Sequence, residues 1–324
     1  MAKYNYKGLF EKDSNFKRWY GNIRRGSPAS ADANLRRIGY VTRVFNVTTK
    51  QLAAMTPKQG FEIIDDVITK LEKEGKTGEY MRAYVKALKS WFIHNGIQIS
   101  QKIKVPDDDG SSKASREQSP MPEQLRRVLN AADQKQKVEC TLVGFSGLRI
   151  ETLGDYESRD GLKVKDLPEM KINNGNKTVE FTKIPALVII RRNLSKAGHQ
   201  YFTFMPDEEC DYVKELFEYR MNSGETITED SAVVVSLRYH KGWLEGKYTN
   251  KDRLYIDKSG HIKTGNISDS MRTTIRKAGF DWRPYIMRTY FDTRMMMAEA
   301  DGLIIRDWRV FWMGHKGDME HRYT

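Results

Sequence analysis

The chain has 324 residues, of which 39% are hydrophobic and 30% are charged. This length allows one large domain or two ordinary domains, and the composition is that of a folded globular protein rather than a disordered one. No apolar run approaches the ~20 residues of a membrane span, and the N-terminal segment lacks the apolar stretch of a signal peptide. We therefore expect a cytoplasmic protein.

The charge balance is strongly basic. Lys and Arg number 55 against 43 Asp and Glu, which gives a formal net charge of +12. A basic surface attracts polyanions, and nucleic acid is the first partner that it indicates. An anionic membrane is disfavoured because no strongly amphipathic Lys-rich helix with a large apolar face is visible.

The sequence does not indicate a metal or a cofactor. Cys140 and Cys210 form no CxxC pair, and the six histidines show no metal-binding spacing. We expect both cysteines to be buried apolar thiols.

Residues 30–105 are predicted to be helical throughout. One helix follows Ser30, a candidate N-cap, and a second begins at Thr56-Pro57, a cap followed by proline at the first helical position. A third, "TGEYMRAYVKALKSWFIHNG", turns its apolar residues to one side. Its other face carries Arg82, Lys86 and Lys89, which are either solvated or in contact with DNA phosphates.

The segment from Gln101 to Pro122 is polar, contains Gly, Ser and Pro, and has no periodicity. Such a composition is typical of a linker. We therefore predict a helical domain over residues 1–105, a linker over 106–122 and a second domain over 123–324.

The second domain begins with helices and then changes period. "NKTVEFTK", "PALVIIRRN" and "HQYFTFM" are short, β-branched and aromatic, as strands are, with Gly198 in a hairpin turn between the last two. "SAVVVSL" is predicted as a buried strand, and helices return near the C-terminus. The predicted fold class is mainly α with a small antiparallel β-sheet.

Cutting a phosphodiester without a metal requires a nucleophile, donors for the non-bridging oxygens and a general acid for the leaving oxygen. A tyrosine nucleophile would conserve the bond energy in a phosphotyrosine link, so resealing needs no ATP. Arginine suits phosphate because its planar fork donates two parallel hydrogen bonds. The candidates in the second domain are Arg149, Lys196, Tyr285, Arg288, His315 and Tyr323.

Each candidate alone also has an ordinary structural interpretation. Arg149 could form a salt bridge, Lys196 could be solvated in its turn, and Tyr285 could be a packing residue. His315 could be a structural histidine and Tyr323 a mobile terminal residue. Only their order along the chain distinguishes them.

That order resembles the catalytic domain of the tyrosine recombinases, the phage-integrase family. "FSGLRIETL" resembles the first arginine box, "LSKAGHQYFTF" the β-hairpin lysine box, "RPYIMRTYFDTR" the His-x-x-Arg box, and "FWMGHKGDMEHRYT" the Gly-His box followed by the nucleophile. Residues 30–105 resemble the family's core-binding domain more weakly. The spellings of the last two boxes are similar to those of integrases from archaeal genomes and mobile elements.

The resemblance implies a site-specific recombinase or integrase. By it, Tyr323 attacks the scissile phosphate and forms a 3′-phosphotyrosine, Arg149 and Arg288 clamp the non-bridging oxygens, Lys196 is the general acid, and His315 donates to a phosphate oxygen. It further implies a C-shaped clamp on duplex DNA, four protomers on paired sites, no metal and no cofactor. Nucleoid association in the cytoplasm follows.

Alternative functions remain open. A chromosome-dimer resolvase and a type IB topoisomerase-like enzyme use similar tyrosine chemistry. A non-catalytic DNA-binding derivative is a third alternative.

Two positions depart from the family pattern. Tyr285 occupies the place of the usual histidine, and a phenol with a pKa of ~10 mostly donates a hydrogen bond, so we carry over phosphate contact and no general-base role. Thr152 stands where a glutamate usually supports the first arginine, which puts that support in doubt. In the family a tail usually follows the nucleophile and docks on a neighbouring protomer, and we expect the sequence to be shortened after Thr324.

Overall fold

A computed structural model describes residues 6, 8–9, 13–106, 118–239, 254–256 and 260–315, without the side chains of 237–239 and 254–256. The chain divides into two compact units, Met1–Arg116 and Glu117–Thr324. The division lies within residues 106–122. No helix in the described ranges combines the length and the apolar character that crossing a bilayer requires.

The first unit is built of helices up to His94, whereas residues 95–106 are not helical, so the prediction of helix throughout 30–105 is wrong at its end. Its helices are α1 (Ser14–Gly26), α2 (Pro28–Val44), α3 (Thr49–Ala53), α4 (Pro57–Lys73) and α5 (Gly78–His94). The three predicted helices, α2, α4 and α5, are confirmed, whereas the sequence pattern does not reveal α1 and α3.

Capping side chains fix where these helices begin. Ser27, not Ser30, caps α2: its hydroxyl accepts a hydrogen bond from the Ser30 backbone N–H at 3.2 Å. The predicted cap is wrong because Pro28, with its fixed φ, already starts the helix. The predicted Thr56 cap of α4 is confirmed, with a reciprocal bond from Gln59 that completes a capping box.

The core of the first unit is built on α5. Its Trp91 ring packs edge-on against Phe16 and Trp19 of α1, with ring centroids 5.2 and 5.4 Å apart. On the opposite face of α5, Arg82 and Lys86 are exposed and Lys89 is half-buried. The polar face predicted from the sequence is therefore present.

The second unit combines helices with short strands. In chain order its elements are α6 (Pro122–Asn130), α7 (Gln134–Gly144), α8 (Ile150–Leu153), β1 (Met170–Asn173), β2 (Thr178–Phe181), β3 (Ala186–Ile190), β4 (Tyr201–Met205), α9 (Asp207–Asn222), β5 (Leu237–Tyr239), β6 (Leu254–Ile256), α10 (Thr264–Lys277), α11 (Ile286–Ala300) and α12 (Arg306–Trp312). The mainly α fold with small antiparallel sheets is as predicted.

The strands form three two-stranded antiparallel sheets, β1–β2, β3–β4 and β5–β6. The β3–β4 hairpin pairs Ile190 with Tyr201, and alternate residues of both strands are buried. The three strands predicted between 176 and 205 are confirmed as β2, β3 and β4. The sequence analysis missed β1.

The strand predicted for "SAVVVSL" is wrong. Val233, Val234 and Val235 are buried, as the apolar run indicates. In the described residues, however, their backbone forms no strand ladder: the Val233 N–H donates to the Leu162 carbonyl at 2.9 Å, the Val233 carbonyl accepts from Arg220 Nη1 at 3.2 Å, and Ala232 forms an isolated bridge with Lys163. The run is buried without a neighbouring strand to pair with.

Helix α7 lies at the centre of the second unit and packs against α9, α10 and α11. Its C-terminal part, from Val138 to Gly144, is fully buried, and within it Glu139 forms an ion pair with Lys135 at 3.0 Å. Cys140 of α7 and Cys210 of α9 are free and buried, as predicted. The helix is thus a fixed support for the turn that follows it.

Candidate active site

The first predicted arginine follows a glycine turn at the end of α7. Gly147 has φ +68°, and a Cβ at this position would overlap the Phe291 ring of α11. Both the left-handed backbone and the close approach require glycine. Arg149 then stands at the N-cap of the short helix α8, with its side chain half-buried.

A buried polar cluster supports this turn from below. The Ser146 hydroxyl lies 3.0 Å from the Phe204 carbonyl and 2.8 Å from Glu209 Oε2, and Thr203 Oγ1 donates to the Ser146 carbonyl at 2.9 Å. Burial raises the pKa of Glu209 to about 8, although the Ser146 bond opposes the shift. A serine hydroxyl has one proton, so both of its contacts are satisfied together when Glu209 is protonated and donates.

The second predicted arginine, Arg288, is 1% exposed. Its Nε donates to the Gly147 carbonyl at 2.8 Å, one Nη donates to the Met313 carbonyl, and the other lies 3.4 Å from the Tyr285 hydroxyl. Within the described ranges Arg288 has no carboxylate partner. Burial and the charge of Arg149 lower the pKa of its guanidinium.

The two arginines converge on one turn. Arg149 Nη1 lies 3.3 Å from the Gly314 carbonyl, and Arg288 bonds to the preceding carbonyl, that of Met313. Two close guanidinium groups without a carboxylate between them create a positive potential that favours an anion with several oxygens. The arrangement therefore fits a phosphate group.

The turn that the arginines hold is the C-terminal cap of α12. Gly314 has φ +58°, its N–H donates to Phe311 at 2.7 Å, and the His315 N–H donates to Val310 at 3.1 Å. These are the two bonds of a Schellman cap with glycine in the left-handed position. The cap places His315 beside the arginines.

The His315 side chain is open to solvent. Desolvation of its covered part lowers its pKa, and the charges of Arg288 and Arg149 lower it further. The imidazole is therefore neutral near pH 7, with one nitrogen able to donate and the other to accept.

Helix α12 is fixed to α11 by Arg309. Its Nε donates to Glu299 at 2.7 Å and its Nη1 to Asp292 at 2.8 Å. These two ion pairs join the helix that carries Arg288 to the helix whose C-terminal cap leads to His315.

The structure places Lys196 in the exposed turn of the β3–β4 hairpin. No hydrogen bond or ion pair joins it to Arg149 or Arg288 in the described part of the chain. Gly198, with φ +74°, closes the turn as predicted.

The base of this hairpin is held by Arg191, which the sequence analysis did not identify. It donates to Asp160 at 2.8 Å, to Asp166 at 2.9 Å and to the Gly161 carbonyl at 2.7 Å. Although burial opposes it, bonding to Arg191 holds the pKa of Asp160 at about 2. These bonds tie the Lys196 hairpin to the loop that follows α8.

Tyr285 is 51% exposed and precedes α11 at its N-cap, next to Arg288 as predicted from their spacing. Thr152, in the place of the expected glutamate, is buried in α8. Tyr323 lies outside the described residues. Arg82, Lys86 and Lys89 belong to the first unit, and their DNA contact stays a prediction.

Tyr201 was not predicted from the sequence, and its fully buried ring packs on Gly314. Its position at a buried place in an alternating strand is indistinguishable from that of a core aromatic. Among the described residues, no group of three or more His, Cys, Asp or Glu side chains is placed to hold a metal ion.

No protein-family model matches the chain, and no curated protein matches its sequence. Solved structures do resemble it. The Tn1549 transposon integrase in complex with circular intermediate DNA is 15% identical with a TM-score of 0.50, covering 94% of this chain and 92% of that chain. XerA recombinase is 15% identical with a TM-score of 0.41, over 94% of this chain and 88% of that one.

The integrase from mycobacterium phage Brujita is 14% identical with a TM-score of 0.38, over 93% of this chain and 83% of that one. At such identities a likeness concerns the fold alone. The fold of this chain is the one seen in the Tn1549 transposon integrase.

Proposed function

We propose that this protein is a site-specific DNA recombinase, an integrase of a mobile element, which cleaves and rejoins duplex DNA through a 3′-phosphotyrosine. One observation carries the proposal: Arg149 and Arg288 converge on the Met313–Gly314 turn beside His315 without a carboxylate between them in the described residues. The fold supports the same conclusion.

The arginines supply the electrostatic part of the reaction. In the pentacoordinate transition state negative charge grows on the two non-bridging oxygens, and preorganised cationic donors stabilise it more than they stabilise the ground state. Arg288 is already held rigidly by carbonyls. The free energy cost of burying its guanidinium is therefore part of folding and is not added when DNA binds.

The remaining groups move protons and oxygens. The Tyr323 oxygen attacks phosphorus and its proton passes to solvent water, the bond from phosphorus to the 5′ oxygen breaks, and Lys196 protonates the leaving oxygen. His315 donates its N–H to a non-bridging oxygen, and Tyr285 donates its hydroxyl to the phosphate. Reversal by a 5′ hydroxyl from another strand reseals the DNA without ATP or a metal.

DNA binding would use both units. The net charge of +12 favours a polyanion, and Arg82, Lys86 and Lys89 offer phosphate contacts on α5. We propose that both units contact duplex DNA and that four protomers pair two sites.

The test is covalent capture. The full chain is incubated with a library of nicked duplexes, in which release of a short 5′-hydroxyl fragment traps the cleaved state, and adducts that survive denaturing detergent are sequenced. We expect adducts on a defined sequence with the wild type and none with Tyr323→Phe.

Absence of adduct from the wild-type chain would contradict the proposal and favour a non-catalytic DNA-binding protein. Relaxation of supercoiled plasmids that lack the captured sequence would favour a topoisomerase-like activity instead. Both results are read from the same preparation.

A further inference from the structure

Tyr201 lies beneath the Met313–Gly314 turn and not on the surface of the protein. Its side chain is 1% exposed at the start of β4, and its ring fills the space that a side chain at position 314 would need. The phenol oxygen lies 2.9 Å from that missing Cβ position. The hydroxyl is therefore next to the Gly314 backbone.

This hydroxyl has no hydrogen-bond partner in the described part of the chain. The Thr152 side chain interacts with it at a geometry outside hydrogen-bond limits, and Arg288 and Arg149 are the charges that it feels most strongly. A buried hydroxyl without a partner costs free energy, and such groups call for an explanation. A phenylalanine would fill the same space without this cost.

The neighbouring hydrogen bond is a weak one. Arg149 reaches the Gly314 carbonyl at 3.3 Å, near the long end of the N–H···O range. A guanidinium that binds a phosphate oxygen must turn toward it, and the Gly314 carbonyl would then lose its donor. Arg288 stays on the Met313 carbonyl and cannot replace it.

We propose that the Tyr201 hydroxyl is a positioning group of the phosphate site: when Arg149 leaves the Gly314 carbonyl for a phosphate oxygen, Tyr201 donates its proton to that carbonyl. The inference rests on the proposed function, since it takes the arginine pair as a phosphate site. By it, the unpartnered hydroxyl of the free protein acquires a partner in the bound state. The turn before His315 then keeps its shape while Arg149 moves.

The first test needs no ligand. Arg149→Met removes the donor on Gly314 and leaves the carbonyl to Tyr201. Tyr201→Phe alone should leave the unfolding equilibrium constant of the second unit unchanged or more favourable to the folded state. In the Arg149→Met chain, Tyr201→Phe should shift the unfolding equilibrium constant of the second unit about threefold to tenfold toward unfolding. This shift corresponds to the net contribution of one hydrogen bond. An equal effect in both chains would overturn the proposal.

The second test uses inorganic phosphate as the probe. Calorimetry should give about threefold to tenfold weaker phosphate binding for Tyr201→Phe than for the wild type, because the Gly314 carbonyl stays unpaired in the bound variant. The matched control is Tyr212→Phe, which removes a phenol hydroxyl bonded to the exposed Glu208 of α9 and should bind like the wild type. Equal affinities of wild type and Tyr201→Phe, or no phosphate binding by either, would overturn the inference.

These tests are separate from the test of the proposed function. Phosphate binding does not require Tyr323 as a nucleophile, so the inference can fail while covalent adducts form, and the reverse also holds.

Discussion

The Nε of Arg288 donates to the carbonyl oxygen of Gly147 at 2.8 Å, two residues before Arg149. The second arginine of the site is therefore a structural support of the turn that presents the first. Because Arg288 also bonds to Met313, its guanidinium joins the end of α7 to the end of α12. The two arginines therefore act as a coupled pair.

Arg288→Lys tests this coupling between the two arginines. A lysine keeps the charge but cannot donate in a planar fork to Gly147, Met313 and a phosphate together. We expect covalent adduct formation to slow by about 100-fold to 1,000-fold, as for the loss of one transition-state donor. Single-turnover rates on trapped DNA measure it, with DNA affinity as the control. A rate within a few-fold of the wild type would contradict the role.

Gly147→Ala tests the close approach of the turn to α11. Alanine meets a positive φ of +68° and overlaps the Phe291 ring. The matched control is Gly302→Ala, which has φ +71° but open space around it. The control should lose about 1 kcal/mol from backbone strain alone, and Gly147→Ala at least about 2 kcal/mol more from overpacking. Urea unfolding of the second unit compares the two variants. Equal losses in the free energy of unfolding would show that the space around Gly147 accommodates a Cβ without overlap.

Glu209→Gln tests the proton in the buried cluster. The folded pKa of about 8 lies above the ordinary value of 4.5, so the folded state holds a proton that the unfolded chain releases. Glu209 therefore lowers the free energy of unfolding as pH rises from about 4.5 to about 8, by about 1.4 kcal/mol for each pKa unit. Glutamine does not ionise, so the variant does not lose free energy of unfolding over this pH range.

The variant should thus match the wild type near pH 5 and exceed its free energy of unfolding by a few kcal/mol at pH 9. Urea titrations at both pH values measure the difference. A difference that does not change with pH would mean that Glu209 is not protonated in the fold.

His315 is expected to be neutral at pH 7. Its pKa lies below 6.5 because of desolvation and the two arginines. NMR of labelled histidine, assigned with His315→Gln, should show its imidazole titrating below the ordinary value in the free protein. Inorganic phosphate should raise that pKa because an anion offsets the arginine charges. A titration above 6.5 without phosphate would contradict the electrostatic account of the site.

Lys86→Ala tests the DNA face of α5. If Lys86 neutralises a phosphate, its loss should weaken binding to all duplex sequences and reduce the slope of log affinity against log salt by about 1. Lys58→Ala is the control, since Lys58 is exposed on α4 and lies 4.0 Å from Glu62. Fluorescence anisotropy with a random-sequence duplex gives both slopes, and identical slopes for the two variants would remove Lys86 from the DNA face.

The sequence predicted the parts of the site that carry local signals. Glycine turns precede Arg149 and His315, and the spacing of Tyr285 and Arg288 on one helix is a purely local property. The residues it did not predict acquire their roles through packing between distant segments. Tyr201 follows the alternation of a strand, and Glu209 has the acidic character expected in the first turn of α9, so its burial is not visible locally.

The roles of Arg191 and of the segment around Val233 could not be predicted from local sequence either. The ion pairs of Arg191 join residues far apart in sequence, and no periodic pattern reports them. The Val233 run signals burial correctly, but an apolar run does not reveal whether a pairing strand is present.

The most direct measurement is the mass of the peptide that carries the DNA adduct. Trapped complexes are digested with nuclease and protease, and the modified peptide is sequenced. We predict a nucleotide 3′-phosphate on Tyr323, a free 5′ hydroxyl on the released strand, and no adduct with Tyr323→Phe. A nucleotide on Tyr285 or on any other residue, or a 5′-phosphate link, would contradict it.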